Sequence, residues 1–522
     1  MSTALHQTVE TLPAAHQHYK RNPAAPVEGA GAREARRRGR AAACSRVVLA
    51  SVFYTVAAVY FTWPLVTRFN SATINHIDPP FSAWRLWWVA THLTHGWSAL
   101  FDANIFWPAR RTLAFSDAML VQGALAIPLR ALGVSPVAMV NLLTLGAMVA
   151  SALGAYLLAR RLTGHTGAAL LAGLVFAFSP FRLDHLAHLE LQWAFWMPLA
   201  FWAWHRTLDH GRFSDGLLCV GFVLMQLLSS IYYGIFLSSA LAVLVVITLA
   251  ARRFRLAPWA FAGLAVGAVV LGATAAEYAR PYRLVELRVG TRSDEETRRY
   301  SATPASFVST RPDNRVYGDL TGQWQGEERR LNPGLTPVVL AASAFVPTLA
   351  SGAVAYGGVL AFSTEMALGL NGRLFSMLRS GVPALRGFRA PARFGVLVQL
   401  ALGVLAAMGL ARLAGRWPKL ATPLVGLTMA LTIVEYSAES RELMSLPASP
   451  PPIYRWLSLQ PRGIVTLELP VPRSDGLPHM DPFYMYQSIW HGQPLVNGYS
   501  GHYYPAYIDL LKQVESFPGH GP

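Results

Sequence analysis

Three groups of ionisable residues stand where chemistry could be done. Asp78 lies in Ile77-Asp78-Pro79-Pro80-Phe81, just before the aromatic run Trp84-Arg85-Leu86-Trp87-Trp88. A carboxylate fixed among prolines and rings can serve as a general base on an acceptor hydroxyl. The same residue also fits a solvated loop position or a helix N-cap. The second group is Arg182, Asp184, His185, His188 and Glu190, directly after Ser179-Pro180. On a helix Asp184 and His188 share a face, and His185 and Glu190 do so less closely. Imidazole with carboxylate makes an acid–base pair or two metal ligands; the wet face of an interfacial helix would look the same. Within this group His188 and Glu190 are the catalytic candidates, and Arg182 and Asp184 are candidates for holding substrate. The third group is Arg386, Arg389 and Arg393 in Leu385-Arg386-Gly387-Phe388-Arg389-Ala390-Pro391-Ala392-Arg393-Phe394. Guanidinium forks suit a phosphate or diphosphate head group, although lipid anchoring or pairing with acidic loops would also use them.

The elements that must position these groups are membrane spans. Of 522 residues, 53% are hydrophobic and only 14% charged, with mean hydropathy +0.33. A soluble domain carries roughly 25% charged residues. About eleven apolar stretches approach the ~20 residues needed to cross the hydrocarbon core. They read as 47–66, 137–158, 166–181, 191–204, 217–230, 234–249, 258–276, 336–349, 354–370, 394–413 and 420–434. The run 118–132 is apolar but carries Pro128 and Arg130, and reads as an interfacial helix. The fold class expected is therefore an all-α polytopic membrane protein with a small C-terminal α/β portion. In that portion Gly463–Pro470 is a strand candidate and Ile453–Leu459 a short helix.

Charge sets the expected topology. The net charge is +16, from 44 Lys+Arg against 28 Asp+Glu. The arginines sit beside spans, so they read as topology signals and lipid contacts rather than a nucleic-acid surface. The short loops holding Arg160/Arg161, Arg206/Arg212, Arg252/Arg253/Arg255 and Arg412/Arg416/Lys419 fall on one side if the N-terminus is cytoplasmic. The long segments 67–135, 277–333 and 371–393, with 437–522, then lie outside. Residues 1–45, with Arg33, Arg36, Arg37, Arg38 and Arg40 near their end, read as a disordered basic cytoplasmic tail and uncleaved anchor. The C-terminal portion, ending Pro518-Gly519-His520-Gly521-Pro522, reads as truncated or disordered at its end. Cys44 and Cys219 fall in different segments, so neither a disulfide nor a cysteine metal site is expected. Tyr300–Phe307 reads as structured, and with the aromatic tail Tyr484–Tyr507 it could roof a cavity and stack on sugar faces, or these rings could simply pack on each other. No Walker or Rossmann loop is visible, so a nucleotide-sugar donor has no support.

Taken together, the layout of residues 46–210 resembles the GT-C superfamily of membrane glycosyltransferases, such as protein O-mannosyltransferases and aminoarabinose transferases. The likeness rests on the first span, the early loop acid, the interfacial helix, Arg160-Arg161-Leu162-Thr163-Gly164 and the span ending in Ser179-Pro180. Phe101–Pro108, Ser179–His188 and Asn497–Gly501 resemble a bacterial branch of it. The resemblance implies an inverting transfer from a polyprenyl-phosphate sugar to a glycan, lipid or protein acceptor, on the outer face of the cytoplasmic membrane. It implies Asp78 as the catalytic or metal-contacting acid. Many members carry paired acids there, whereas here Pro79 follows Asp78, which weakens the case for a divalent metal; no cofactor is expected, a divalent metal being the exception left open. The expected roles are Asp78 as base, His188 or Glu190 orienting the acceptor, and Arg389 and Arg393 on the leaving phosphate. The alternatives are a non-catalytic scaffold of envelope assembly and a lipid or solute transporter.

Overall fold

The computed structural model describes residues 30–346 and 350–515. The expected tail before Ala30, the end of the span 336–349 and the expected loose end 516–522 lie outside these residues. The chain divides into a unit up to Leu49 and a unit from Ala50 onward. In the first, residues from Ala30 are helical, so 30–45 form helix rather than the expected disorder.

The molecule is a multi-pass membrane protein. Among the described residues six helices are long and apolar enough to cross a bilayer: Cys44–Phe61, Pro136–Thr163, Thr166–Asp184, Ile231–Ala251, Pro258–Val289 and Pro391–Arg416. The helices that position the site are α1 (Ala30–Phe61), α2 (Asp78–His92), α3 (Leu120–Ala131) and α4 (Pro136–Thr163), followed by α5 (Thr166–Phe178) and α6 (Trp196–His210). Next come α7 (Phe213–Ser229), α8 (Ile231–Ala251), α9 (Pro258–Val289), α10 (Gly395–Arg416) and α11 (Asp481–His491). Helix α10 is buried almost throughout and is the hub of the membrane core. Helix α3 is short, as read from Pro128 and Arg130. The remaining expected spans are shorter helices, including Leu335–Ser343, Ser351–Ala367 and Ala421–Tyr436.

Two expectations about the spans change. The stretch 191–204 is broken: a turn of helix ends at Gln192 and α6 starts only at Trp196. Carbonyls freed by a break inside apolar surroundings need donors. Arg182 supplies them to Leu191 and Gln192 (3.0 and 2.9 Å), and Gln226 to Trp193 (2.8 Å). Helix α9 runs 32 residues to Val289, well past the expected span end at 276, so the second polar segment begins as helix.

The C-terminal portion is tied to the first loop by a two-stranded antiparallel sheet, β1 (Ala72–Ile74) with β2 (Leu443–Ser445). The strand expected at Gly463–Pro470 is reduced to an isolated bridge between Thr466 and Leu495. Its neighbours are instead held by side chains: Asn497 accepts from the Glu468 N–H (2.7 Å), and Gln493 from the Gly463 N–H (2.9 Å). The short helix there is present, at Pro452–Ser458.

Helix α4 separates two polar layers. At its N-terminal end Asn141 donates to the carbonyls of Phe69 and Ala72, both at 2.8 Å, and so seats the first loop. At its C-terminal end Arg161 and Arg252 both pair with Asp209, at 2.8 and 2.9 Å. A helix of 28 residues is roughly 42 Å long, so the basic turns and the first loop lie at opposite ends of the molecule.

Close helix packing sets the core's tolerance. A Cβ on Gly409 would stand 1.9 Å from the Leu340 carbonyl oxygen, whereas one on Gly146 meets nothing within 4 Å. Gly409→Ala should therefore destabilise by about 1–3 kcal/mol through overpacking. Gly146→Ala should leave the unfolding temperature of the purified protein unchanged; equal melting of both variants would contradict this packing.

Candidate functional site

The site begins where α2 begins. Pro79 and Pro80 fit the first turn of a helix, where a missing N–H costs nothing. The chain therefore turns into helix at Asp78, and its carboxylate is buried, 5% exposed, so the solvated-loop reading does not hold. Asp78 is the first residue of the helix and Ile77 is its N-cap, so the N-cap reading does not hold either. It instead faces residues far away in sequence. His188 Nε2 lies 2.9 Å from Oδ2, and the Tyr499 hydroxyl donates to Oδ1 at 2.9 Å. His76 lies 3.5 Å from Oδ2 and packs near the His188 ring, 5.3 Å between centroids. Tyr499 is steadied by the edge of Phe81, 5.0 Å away.

These contacts fix protonation. Burial would raise the Asp78 carboxyl, but His188, with His76 and Arg85 adding, outweighs it and holds the group well below the usual carboxylate range. Burial would lower His188, yet Asp78 outweighs that and pushes it up to about 9. At neutral pH the two form a carboxylate–imidazolium pair. Among the described residues His188 Nδ1 has no hydrogen-bond partner, so this buried N–H is left for a ligand oxygen.

Glu190 lies one contact further. It pairs with Arg85 at 2.9 Å, and Arg85, 2% exposed, also donates to Ser82 and to the Asp117 carbonyl. Burial would raise Glu190, but Arg85 and His188 keep it below its ordinary value. Asp117 accepts from Ser230 and from the Ile231 N–H; burial, then the Glu190 charge, pushes it up to about 6.

On the other side lies the arginine group. Arg393 binds Glu328 with both arms of its guanidinium, its Nε at 2.8 Å. His185 Nε2 reaches the same carboxylate at 3.2 Å, and Arg389 approaches it at 3.7 Å while lying over the Tyr300 ring at 4.9 Å. Tyr300 opens the segment expected to be structured, which closes as a short 3₁₀ turn over Pro304–Val308. His185 and His188 are ring neighbours, 5.6 Å apart. A continuous set of contacts thus runs from Asp78 through His188, His185 and Glu328 to Arg393 and Arg389.

The expected residues sort accordingly. Asp78, His188, Glu190, Arg389 and Arg393 come together. Arg386 stays exposed and donates to the carbonyls of Arg379 and Ser380. Arg182 is buried under the helix break and is spent on backbone carbonyls and Ser151. Asp184 turns toward Arg330 and Arg311, at 3.4 and 3.6 Å, fastening the loop 277–333. Not singled out in advance were His76, Glu328, Asp117 and Tyr499. Tyr499 lies in the Asn497–Gly501 motif, and Glu328 had only its neighbour Glu327 to mark it. Among the described residues no three His, Cys, Asp or Glu side chains are grouped to hold a metal. The nearby carboxylates Glu190 and Glu328 are already engaged by arginine, so the donor set a divalent cation needs is not assembled.

No protein-family model and no curated protein sequence matches the chain. Its fold does match solved structures. The mycobacterial arabinofuranosyltransferase AftD superposes with TM-score 0.51 at 15% identity, over 88% of this chain and 32% of AftD. The apo oligosaccharyltransferase of Archaeoglobus fulgidus is matched with TM-score 0.40 at 14% identity, over 87% of this chain and 64% of that one. This chain thus spans less than two thirds of the length of either. The likeness to AftD is one of fold alone.

The raised His188 gives a sign-specific expectation. Its pairing with Asp78 stabilises fully below pH ~6.5 and is lost as pH rises through about 9. The melting temperature of His188→Gln should therefore fall below wild type at pH 6 by several degrees, with the gap closing above pH 9. A gap that widened with pH would contradict the pair.

Proposed function

We propose that this protein is a glycosyltransferase of the cytoplasmic membrane of a bacterium, moving a sugar from a polyprenyl-phosphate donor to a glycan, lipid or protein acceptor of the cell envelope on the extracytoplasmic face. The observation that carries the reading is the contact set joining a buried ionised carboxylate, Asp78, to the guanidinium pair Arg389 and Arg393. A base and phosphate-binding groups joined by one run of contacts are what such a transfer needs.

The reaction forms a bond from the acceptor oxygen to the anomeric carbon and breaks the bond from that carbon to the phosphate oxygen, with inversion. The acceptor proton passes to Asp78, and the lipid phosphate departs as an anion. As a resting ion pair Asp78 is a poor base. An acceptor hydroxyl that takes the place of Tyr499 and loosens His188 removes the contacts that depress it, and so raises its basicity when substrate is present. His188, with its free Nδ1–H, orients the acceptor. Glu190 keeps Arg85 and the base of α2 in place. Arg389, its side chain a third exposed and only loosely held by Glu328, is the more available phosphate ligand, and Arg393 is the more rigid. The basic turns at the far end of α4 would face the cytoplasm under the positive-inside rule.

One observation favours a rival: the charges of Asp78, Arg85 and Arg393 are each matched by protein groups without substrate. That suits a non-catalytic scaffold of envelope assembly. The readings separate in membranes carrying equal amounts of folded wild type and Asp78→Asn, given a panel of labelled polyprenyl-phosphate sugars. Wild type should release sugar from lipid and Asp78→Asn should be slower by roughly 100-fold or more. Arg389→Ala should mainly raise the donor KM. Label retained on lipid by wild type across the panel supports the scaffold, and equal turnover removes Asp78 from the mechanism.

A further inference from the structure

Besides an apolar groove between α3 and α4, a second cavity, of ≈ 290 Å³, lies at the end of α2 remote from Asp78. Four stretches of chain build it: Trp87–His92 of α2, Arg130 at the end of α3, Arg462, and Ile489–Gly492 at the end of α11. Its volume is at the small end of ligand pockets, ~300 Å³. The polar character of its lining is one-sided. Arg130 and Arg462 contribute guanidinium groups, and among the described residues neither has a carboxylate partner. Arg130 reaches only the Thr91 hydroxyl. His491 is 4% exposed; its Nδ1 accepts from the Gln493 N–H at 3.0 Å, which places the proton on Nε2. That Nε2–H and the indole N–H of Trp490 are buried, and among the described residues neither has a hydrogen-bond partner. Burial pushes His491 down to about 4, so it is a neutral donor at physiological pH.

No carboxylate lines the cavity, which argues against a cation. An acyl chain would leave two guanidiniums unmatched. The apolar groove of ≈ 420 Å³ between α3 and α4, lined by residues such as Leu125, Leu129, Leu143 and Phe195, suits a chain far better. What the second cavity lacks is acceptor oxygens and negative charge. What it offers besides donors is indole surface from Trp87, Trp88 and Trp490, suited to the apolar face of a pyranose.

We infer that this cavity binds an acidic sugar residue, a carboxylated pyranose, as the part of the acceptor glycan remote from the reacting hydroxyl. The binding claim stands on the cavity; its place on the acceptor rests on the glycosyltransfer reading. Helix α2 carries Asp78 at its first residue and Trp87–His92 at its last turns, roughly 15 to 20 Å away at 1.5 Å per residue. A single rigid element therefore sets the separation between the grip and the transfer site, and an extended oligosaccharide spans it.

The test uses the full-length protein in nanodiscs of zwitterionic lipid, titrated calorimetrically with tetragalacturonate and with its carboxyl-reduced, uncharged counterpart. Tetragalacturonate should bind and the reduced form should bind at least tenfold more weakly. Arg462→Gln, an exposed position that leaves the fold intact, should weaken tetragalacturonate roughly tenfold, as should His491→Phe. Asp78→Asn should keep the preference for tetragalacturonate over its reduced form. The inference is overturned by no binding, by equal binding of the uncharged form, by Arg462→Gln binding like wild type, or by loss of binding in Asp78→Asn, which would place the sugar at the transfer site. Displacement of tetragalacturonate by anionic lipid in the nanodisc would assign the cavity to head groups and equally overturn it. Binding as expected in a protein that releases no sugar from any lipid donor would remove the glycosyltransferase reading and leave the cavity's ligand class standing.

Discussion

A carboxylate withdrawn from water must be paired, and the pairing of Asp78 organises the polar layer of this protein. Its partners come from three places: His76 just before it, His188 after the span that ends at Ser179-Pro180, and Tyr499 near the C-terminal end. None of these segments is adjacent in sequence to another except at His76. The same rule governs the neighbouring charges. Asp184 draws in Arg311 and Arg330, and Glu328 draws in Arg393 and His185, so the loop 277–333 is fastened to the exits of α5 and α10 by ion pairs. Burying such groups is costly unless each is matched. The layer therefore has few alternative arrangements, which is a useful property in a site built from loops.

The matching also shapes what a substrate meets. Burial would raise Glu328, yet Arg393 and His185 hold it far below the ordinary range, so it stays ionised on the guanidinium pair. Under the proposed function an incoming phosphate would compete with that carboxylate for Arg393 and find Arg389 less committed. The acceptor side is arranged in the same manner, with Tyr499 occupying Asp78 until something replaces it. Both clusters are thus matched by the protein's own groups, and under the proposed function substrate binding would exchange one set of hydrogen bonds for another rather than fill an empty, charged hole.

Much of this arrangement was visible in the sequence because membranes make sequence unusually literal. Apolar length located the long helices, Pro128 with Arg130 shortened α3, and Asp78, His188 and the 389/393 arginines were notable as charges beside apolar spans. What stayed hidden depends on contacts between distant residues. Arg182 looked like a substrate ligand and proved to be the donor that repairs a helix break, because the broken carbonyls of Leu191 and Gln192 have no sequence signature. Glu328 is one acid in a polar loop until Arg393 is placed opposite. The Gly463–Pro470 stretch has strand-like alternation, but its backbone is claimed by Asn497 and Gln493, while the real strand pair joins three-residue segments too short to be read from pattern.

The 421 residues between Asp78 and Tyr499 carry a consequence for biosynthesis. The ribosome releases Asp78 421 residues before Tyr499, so the carboxylate emerges long before its hydroxyl partner. The β1–β2 ribbon, closed by Leu443–Ser445, brings the late segment back to the early one. Until that return is made, a half-made chain in the translocon has an incomplete centre. Maturation is thereby timed by the order of the polypeptide itself, and a nascent chain abandoned midway is left without a working copy of the site.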